Sequence, residues 1–250
     1  IEKLVPLLKD RDILLLGAFV ALIATYITMK MRPAYGDALL NALRAGRVEV
    51  FSEEAEDFSG YRDDPFAMQI ILKSLQDPRV LTRRLAVEMV ARVGSKLAIP
   101  DLIERLSDED AAVRVEAIKA LAQLDARPSS GKILLGLDDP DASVREQALA
   151  SLPKLGVASS PELIRTLEHL LKDPSVKVAA RAAVVLMHLG KSDQAVPALS
   201  AWMKDGDQNH RSAVLIGYLA IAFEAKEAIP FDRDLILVAL NDPVPAVRRQ

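Results

Sequence analysis

The feature that most constrains this chain is a frame that returns every 31 to 34 residues. Asp77, Asp108, Asp139 and Asp173 each open a turn, three of them as Asp-Pro. Six residues after the first three stand Arg83, Arg114 and Arg145, and nine after all four stand Ala86, Ala117, Ala148 and Ala182. Sixteen and seventeen residues on come Val93-Gly94, Leu124-Asp125, Leu155-Gly156 and Leu189-Gly190. A blurred further round opens near Asp205, and another at Asp242-Pro243, where Val247-Arg248 follows five and six residues on. One mark fails: the fourth round has Ala179 where the frame asks for arginine, with Lys177 and Arg181 nearby.

Each mark has a physical reason. A residue before proline is pushed out of the α region, so Asp-Pro ends one helix. The aspartate can then cap the next helix, and proline suits its first turn. Valine and leucine at helical spacing give each helix an apolar stripe. The recurring alanine lets helices approach closely, and the closing glycine fits a left-handed C-cap. A lone helix pair cannot bury its stripe, so pairs stack.

The expected fold is therefore all-α: a right-handed α-solenoid of helix pairs preceded by a long apolar helix. First helices are expected near Phe66–Gln76, Ile99–Leu106, Ser130–Leu137, Pro161–Leu171, Ala195–Met203 and Arg233–Leu240. Second helices are expected near Arg79–Val93, Ala111–Leu124, Ala142–Leu155, Ser175–Leu189 and Asn209–Ala222, with a stub after Pro243. The arginines are read as structural, each bonded to the aspartate of its own or a neighbouring round. The expected ladder comprises Asp77, Arg83, Asp108, Arg114, Asp139, Arg145, Asp173, Asp242 and Arg248.

These residues resemble the HEAT-repeat family in its short bacterial form. The resemblance rests on the turn aspartate, the Val-Arg pairs Val113-Arg114, Val144-Arg145 and Val247-Arg248, the alanine three residues later and the closing Leu-Gly. It covers Phe66 to the C-terminus. It implies a scaffold that binds proteins or neighbouring domains of its own chain, and no particular activity, since a fold of this kind hosts many functions.

Ahead of the repeats, Ile13 to Met29 runs seventeen residues without a charge. As a helix it would span about 26 Å, just under the ~30 Å hydrocarbon core. Its flanks lack the small-residue cleavage site of a signal peptide. Its apolar all-round surface, with Gly17-x-x-x-Ala21, suits a membrane bundle. The domain expectation is an apolar transmembrane segment over 1–32, an amphipathic helix and acidic linker over 33–65, and the solenoid over 66–250. In the second segment Tyr35, Leu39 and Leu43 share a face. The linker carries seven acids between Glu49 and Asp64 against Arg62 alone, a pattern of solvated chain. Ile1 at the start and a helix cut at Gln250 read as an excerpt of a longer protein.

Composition excludes more than it selects. Aromatic residues are 4%, which suits an alanine- and leucine-packed solenoid. The formal charge of −3 and scattered basic residues speak against nucleic acid as a partner. With no cysteine, disulfide, zinc-thiolate and cysteine-nucleophile chemistry fall. His169, His188 and His210 lie in different helices without metal-ligand spacing, and His188 reads as a C-terminal capping group. Trp202 reads as core. No catalytic, cofactor or metal residue is identified, and the chain is expected not to be an enzyme.

The order of apolar span, Arg32-Pro33-x-Tyr35 helix, acidic linker and short repeats is similar to bacterial transporters of the nucleotide (ATP/ADP) carrier and major-facilitator type. These carry a cytoplasmic HEAT region after the last transmembrane helix, often followed by a cyclic-nucleotide-binding domain. That resemblance implies a module at the bacterial inner membrane with its repeats in the cytoplasm. The alternatives are a soluble HEAT scaffold and an enzyme of the phycobilin-lyase type, for which no acid or histidine cluster is present.

Overall fold

The computed structural model describes residues 17–26, 38, 40, 41, 43–45, 65–205 and 209–215. Among these the chain is helix and turn, with no strand. The repeats contribute α1 (Pro65–Ser74), α2 (Val80–Val93), α3 (Ile99–Arg105), α4 (Ala111–Gln123), α5 (Ser130–Leu134), α6 (Ala142–Leu155), α7 (Pro161–Leu170), α8 (Val176–His188) and α9 (Ser192–Asp205). Odd numbers are first helices and even numbers second helices. The chain divides into two compact units, Ile1–Ala86 and Val87–Gln250.

In the first unit, residues 17–26 are helical, as are the described residues from Ala38 to Arg44. Leu43, Ala67, Met68, Ile71 and Leu75 are buried. Helix 17–26 is the described part of the stretch expected to cross a membrane. Among the described residues no helix is long and apolar enough to do so, and the membrane-spanning expectation has no support there. Phe19, Val20, Leu22 and Tyr26 are each more than half exposed. The rest of Ile13–Met29 lies outside the described residues, as do Tyr35, Leu39, the acidic linker, Asp242, Arg248 and the helices expected beyond residue 222.

In the second unit the even helices stack in order, α4 on α6 and α6 on α8, and each packs on its own first helix. The frame alanines make this possible. Ala117, Ala148 and Ala182 are fully buried, where a larger side chain would push neighbouring helices apart. The apolar first-helix row Leu102, Ile133 and Leu167 is equally closed to solvent.

Helix ends follow the sequence closely. Gly94, Gly156 and Gly190 adopt positive φ, and so does Asp125, the residue that takes the same place in its round. Behind each of the last three, the next backbone N–H bonds back five residues, to Leu121, Leu152 and Leu186 (3.0, 3.4 and 2.8 Å). This is the paired closure that satisfies otherwise orphaned carbonyls.

Three details differ from expectation. The opening aspartates do not cap the second helices; Asp110 and Asp141, two residues further on, do. The opening carboxylates are occupied otherwise, as described below. The third first helix is not continuous over Ser130–Leu137: α5 ends at Leu134 and a tighter 3-10 turn runs over Leu135–Asp138. Gly136 lies in that turn so close to α6 that a Cβ would stand 3.3 Å from the Ala148 Cβ. Finally, α9 begins at Ser192 rather than Ala195, which moves Pro197 from its first turn to beyond it.

Candidate functional site

The candidate site is built from the turns that join first to second helices. In the second unit Arg114 and Arg145 leave the first turns of α4 and α6. Arg114 Nη1 donates to the carbonyls of Asp108 and Glu109 in its own turn (2.9 and 3.2 Å). Its Nε and Nη2 donate to both carboxylate oxygens of Asp139 in the next turn, each at 2.8 Å. Arg145 repeats the pattern one round later. Nη1 binds the carbonyls of Asp139 and Pro140 (2.7 and 3.1 Å), and Nε and Nη2 grip Asp173 at 2.8 and 2.9 Å. The guanidinium fork thus staples two successive turns, a geometry its planar donors suit.

Each opening carboxylate also accepts a backbone N–H two residues on. Asp108 accepts from Asp110, Asp139 from Asp141 and Asp173 from Ser175 (3.0, 2.9 and 2.8 Å). The bond fixes the turn that aims the carboxylate at the incoming arginine. The aspartates sit deep: Asp173 has 5% of its side chain exposed against 14% for Arg145. The hydrogen bonds from Asp139 and Asp173 hold the Arg114 and Arg145 guanidiniums above the ordinary arginine range, against the opposing effect of burial.

The first unit holds a related arrangement. Arg83 Nη1 binds the carbonyls of Asp77 and Pro78 (3.0 and 3.2 Å). The Asp77 carboxylate accepts the Arg79 N–H and, from the helical stretch before the repeats, Arg44 Nε at 3.1 Å. Burial raises the Asp77 pKa, but these two bonds outweigh it and leave the group below the usual carboxylate value. Sequence reading missed Arg44, which precedes Asp77 by 33 residues but lies outside the Val-Arg pattern. It also missed the caps Asp110 and Asp141, which share the turn with stronger marks.

The fourth round is different. Ala179 is buried, and among the described residues the carbonyls of Asp173 and Pro174 accept no hydrogen bond. Nearby Arg181 instead reaches backward to Glu146 on α6 at 3.5 Å.

No metal-binding cluster of acids and histidines occurs among the described residues. A cleft of about 190 Å³ opens between α3 and the α5 segment, floored by Ile103, Ile118, Ile133 and Val144 with Ser107, Lys132 and Asp139 at its edge. The Asp139 carboxylate is committed to Arg114 and to the Asp141 N–H, so it offers no general base. Trp202 is half-buried and lies 6.4 Å from the His210 ring in a tilted arrangement. At the surface α4 and α6 present Glu116, Lys119, Gln147 and Lys154, and α8 presents Lys177 and His188.

Stacked helix pairs stapled turn to turn define an α-solenoid repeat protein. The family profile described as HEAT repeats matches residues 68–153 and 132–220, more than half of the chain, and the chain belongs to the HEAT-repeat family. Among curated proteins no sequence relative is found. Among solved structures, YibA of E. coli is similar at 14% identity and a TM-score of 0.53, with 85% of each chain covered. An engineered protein is similar at 17% identity over 76% of this chain and 97% of its own, with a TM-score of 0.41. The first likeness concerns the fold alone. The transporter fusion expected from domain order has no support in these comparisons.

Proposed function

We propose that the chain is a non-catalytic scaffold that binds another protein along the outward faces of its second helices. The observation that carries this reading is the use of those helices. α4 and α6 each spend one side on their neighbours and turn a mixed-charge side away from the stack, whereas α8 is buried from Val178 to Met187 except at Arg181 and exposes Lys177 at its start. Such repeated faces form an extended recognition surface, in which affinity comes from summing many modest contacts. The first-turn arginines are consumed by the stack itself, which leaves Lys119, Lys154 and Lys177 as the basic groups on that face.

The test is to place a photo-cross-linking side chain at Lys119 or Lys154 in the full chain inside its cell of origin and identify the protein captured. That protein, purified, is expected to bind the chain at micromolar Kd or tighter, with Lys154→Glu weakening it about tenfold or more through rim electrostatics. A purified candidate that binds equally well to the charge-reversed chain contradicts the surface assignment.

A second reading, attachment to a membrane on the cytoplasmic side, is favoured by one observation. Phe19 and Leu22 in helix 17–26 are 60% and 69% exposed, and a large apolar face needs a cover of lipid or protein. Retention of full-length protein in membranes after an alkaline carbonate wash supports this reading, and complete release rejects it.

A further inference from the structure

The ladder is directional, and it stops at one place. Arg114 ties its own turn to the next through Asp139, and Arg145 does the same through Asp173. The round that opens at Asp173 receives a staple from behind, but Ala179 carries no guanidinium to send forward, and among the described residues no arginine of this round pairs with a later turn. The carbonyls of Asp173 and Pro174 accept no hydrogen bond among the described residues, whereas their counterparts in the preceding round, those of Asp139 and Pro140, accept from Arg145 Nη1. Two charged groups near this turn are committed backward: Arg145 holds Asp173, and Arg181 meets Glu146.

Among the described residues no ion pair joins α8 to α9. The two helices pack on each other, and their buried residues are apolar: Val178, Ala179, Ala182, Ala183 and Leu186 among those of α8, and Ala195, Leu199 and Met203 on α9. Apolar burial is non-directional, so it resists separation but sets orientation weakly. A bidentate guanidinium–carboxylate pair does the opposite, since it loses its energy when either group turns. An unstapled joint next to stapled ones is the expected place for small sliding of packed helices.

We propose that the α8–α9 joint is a hinge of the array, across which α9 changes its angle to the α4–α6–α8 stack. The missing arginine is the device: it frees one joint while the two before it are locked. The array then bends at a fixed place to fit a partner rather than flexing evenly.

The chain contains no cysteine, so pairs of introduced cysteines carry spin labels without background. Lys119, Lys154, Lys177 and Lys204 are exposed positions on α4, α6, α8 and α9. Pulsed dipolar spectroscopy on the full chain gives the distance distribution for each pair. The 177–204 distribution, which spans the unstapled joint, is expected to be about twice as wide as the 119–154 distribution, which spans a stapled one. Equal widths overturn the hinge. In the reverse test Arg145→Ala opens the same gap one joint earlier, and the 154–177 distribution is expected to broaden from its parental width. A distribution unchanged by Arg145→Ala, in a variant whose helical signal is intact, shows that the staples do not control bending and overturns the proposal as well.

Discussion

Arg44 Nε lies 3.1 Å from Asp77 Oδ2, so the first opening aspartate is met by an arginine from before the repeats. The helical stretch around Leu43 and Arg44 therefore serves the first unit as an end piece, with Leu43 buried. Solenoids need such ends, since a terminal pair has one side without a neighbour. Arg44 is 41% exposed, and solvent screening limits the worth of its pair. Arg44→Ala is expected to lower stability by about 0.5–1 kcal/mol in chemical denaturation. It is also expected to raise the Asp77 pKa, read by NMR of the carboxylate. An unchanged pKa would show that the pair is not formed.

Glycine replacements separate backbone strain from helix propensity. Gly156 has φ of 59° at the end of α6, with open space where a Cβ would stand. Gly156→Ala is expected to cost about 1 kcal/mol through backbone conformation alone. Gly131 lies inside α5, also with nothing near its missing Cβ. There, Gly131→Ala is expected to stabilise by up to about 1 kcal/mol. Thermal midpoints that shift in the same direction for both variants would contradict the left-handed closure.

The cap at Asp141 titrates. Bonds from the Ser143 hydroxyl and N–H, and then from Val144, hold its carboxyl below the ordinary aspartate value despite some burial. A depressed folded pKa means that its contribution is present above the unfolded value of about 3.9 and is lost as pH falls through the folded one. Asn caps a helix nearly as well but carries no charge. Asp141→Asn is therefore expected to be less stable than the parent at pH 7 by under about 1 kcal/mol. That difference should shrink toward pH 3 in urea titrations. A difference that stays constant with pH would exclude a charged cap.

Much of the fold was legible because its marks are backbone chemistry repeated in register. Gly94, Gly156 and Gly190 mark left-handed closures, and the frame alanines mark helix contacts. Asp125 holds the same positive φ without being glycine, and only its place in the frame identified it. The ladder's direction was not legible. The sequence pairs Arg114 with Asp108 or Asp139 equally well by type, and only three-dimensional placement sends the guanidinium fork to Asp139 and its Nη1 to the Asp108 carbonyl. Cap identity was hidden for a related reason. Asp139 and Asp141 are both aspartates, and Arg114, by holding Asp139, leaves Asp141 to cap. The apolar run near residue 20 illustrates a different gap, since hydropathy states that a face must be covered and does not state by what.

The claim on which the account rests is that Arg114 and Arg145 each couple one repeat to the next. A double-mutant cycle on Arg145 and Asp173 tests it most directly, using Arg145→Ala, Asp173→Ala and the pair in urea denaturation of the full chain. Arg145→Ala alone is expected to cost about 2 kcal/mol, since it leaves a nearly buried carboxylate with only the Ser175 N–H. The two single effects are expected to exceed the double by a coupling of about 1–3 kcal/mol. Effects that add within about 0.5 kcal/mol would show that the two residues act separately, and the stapled array would have to be abandoned.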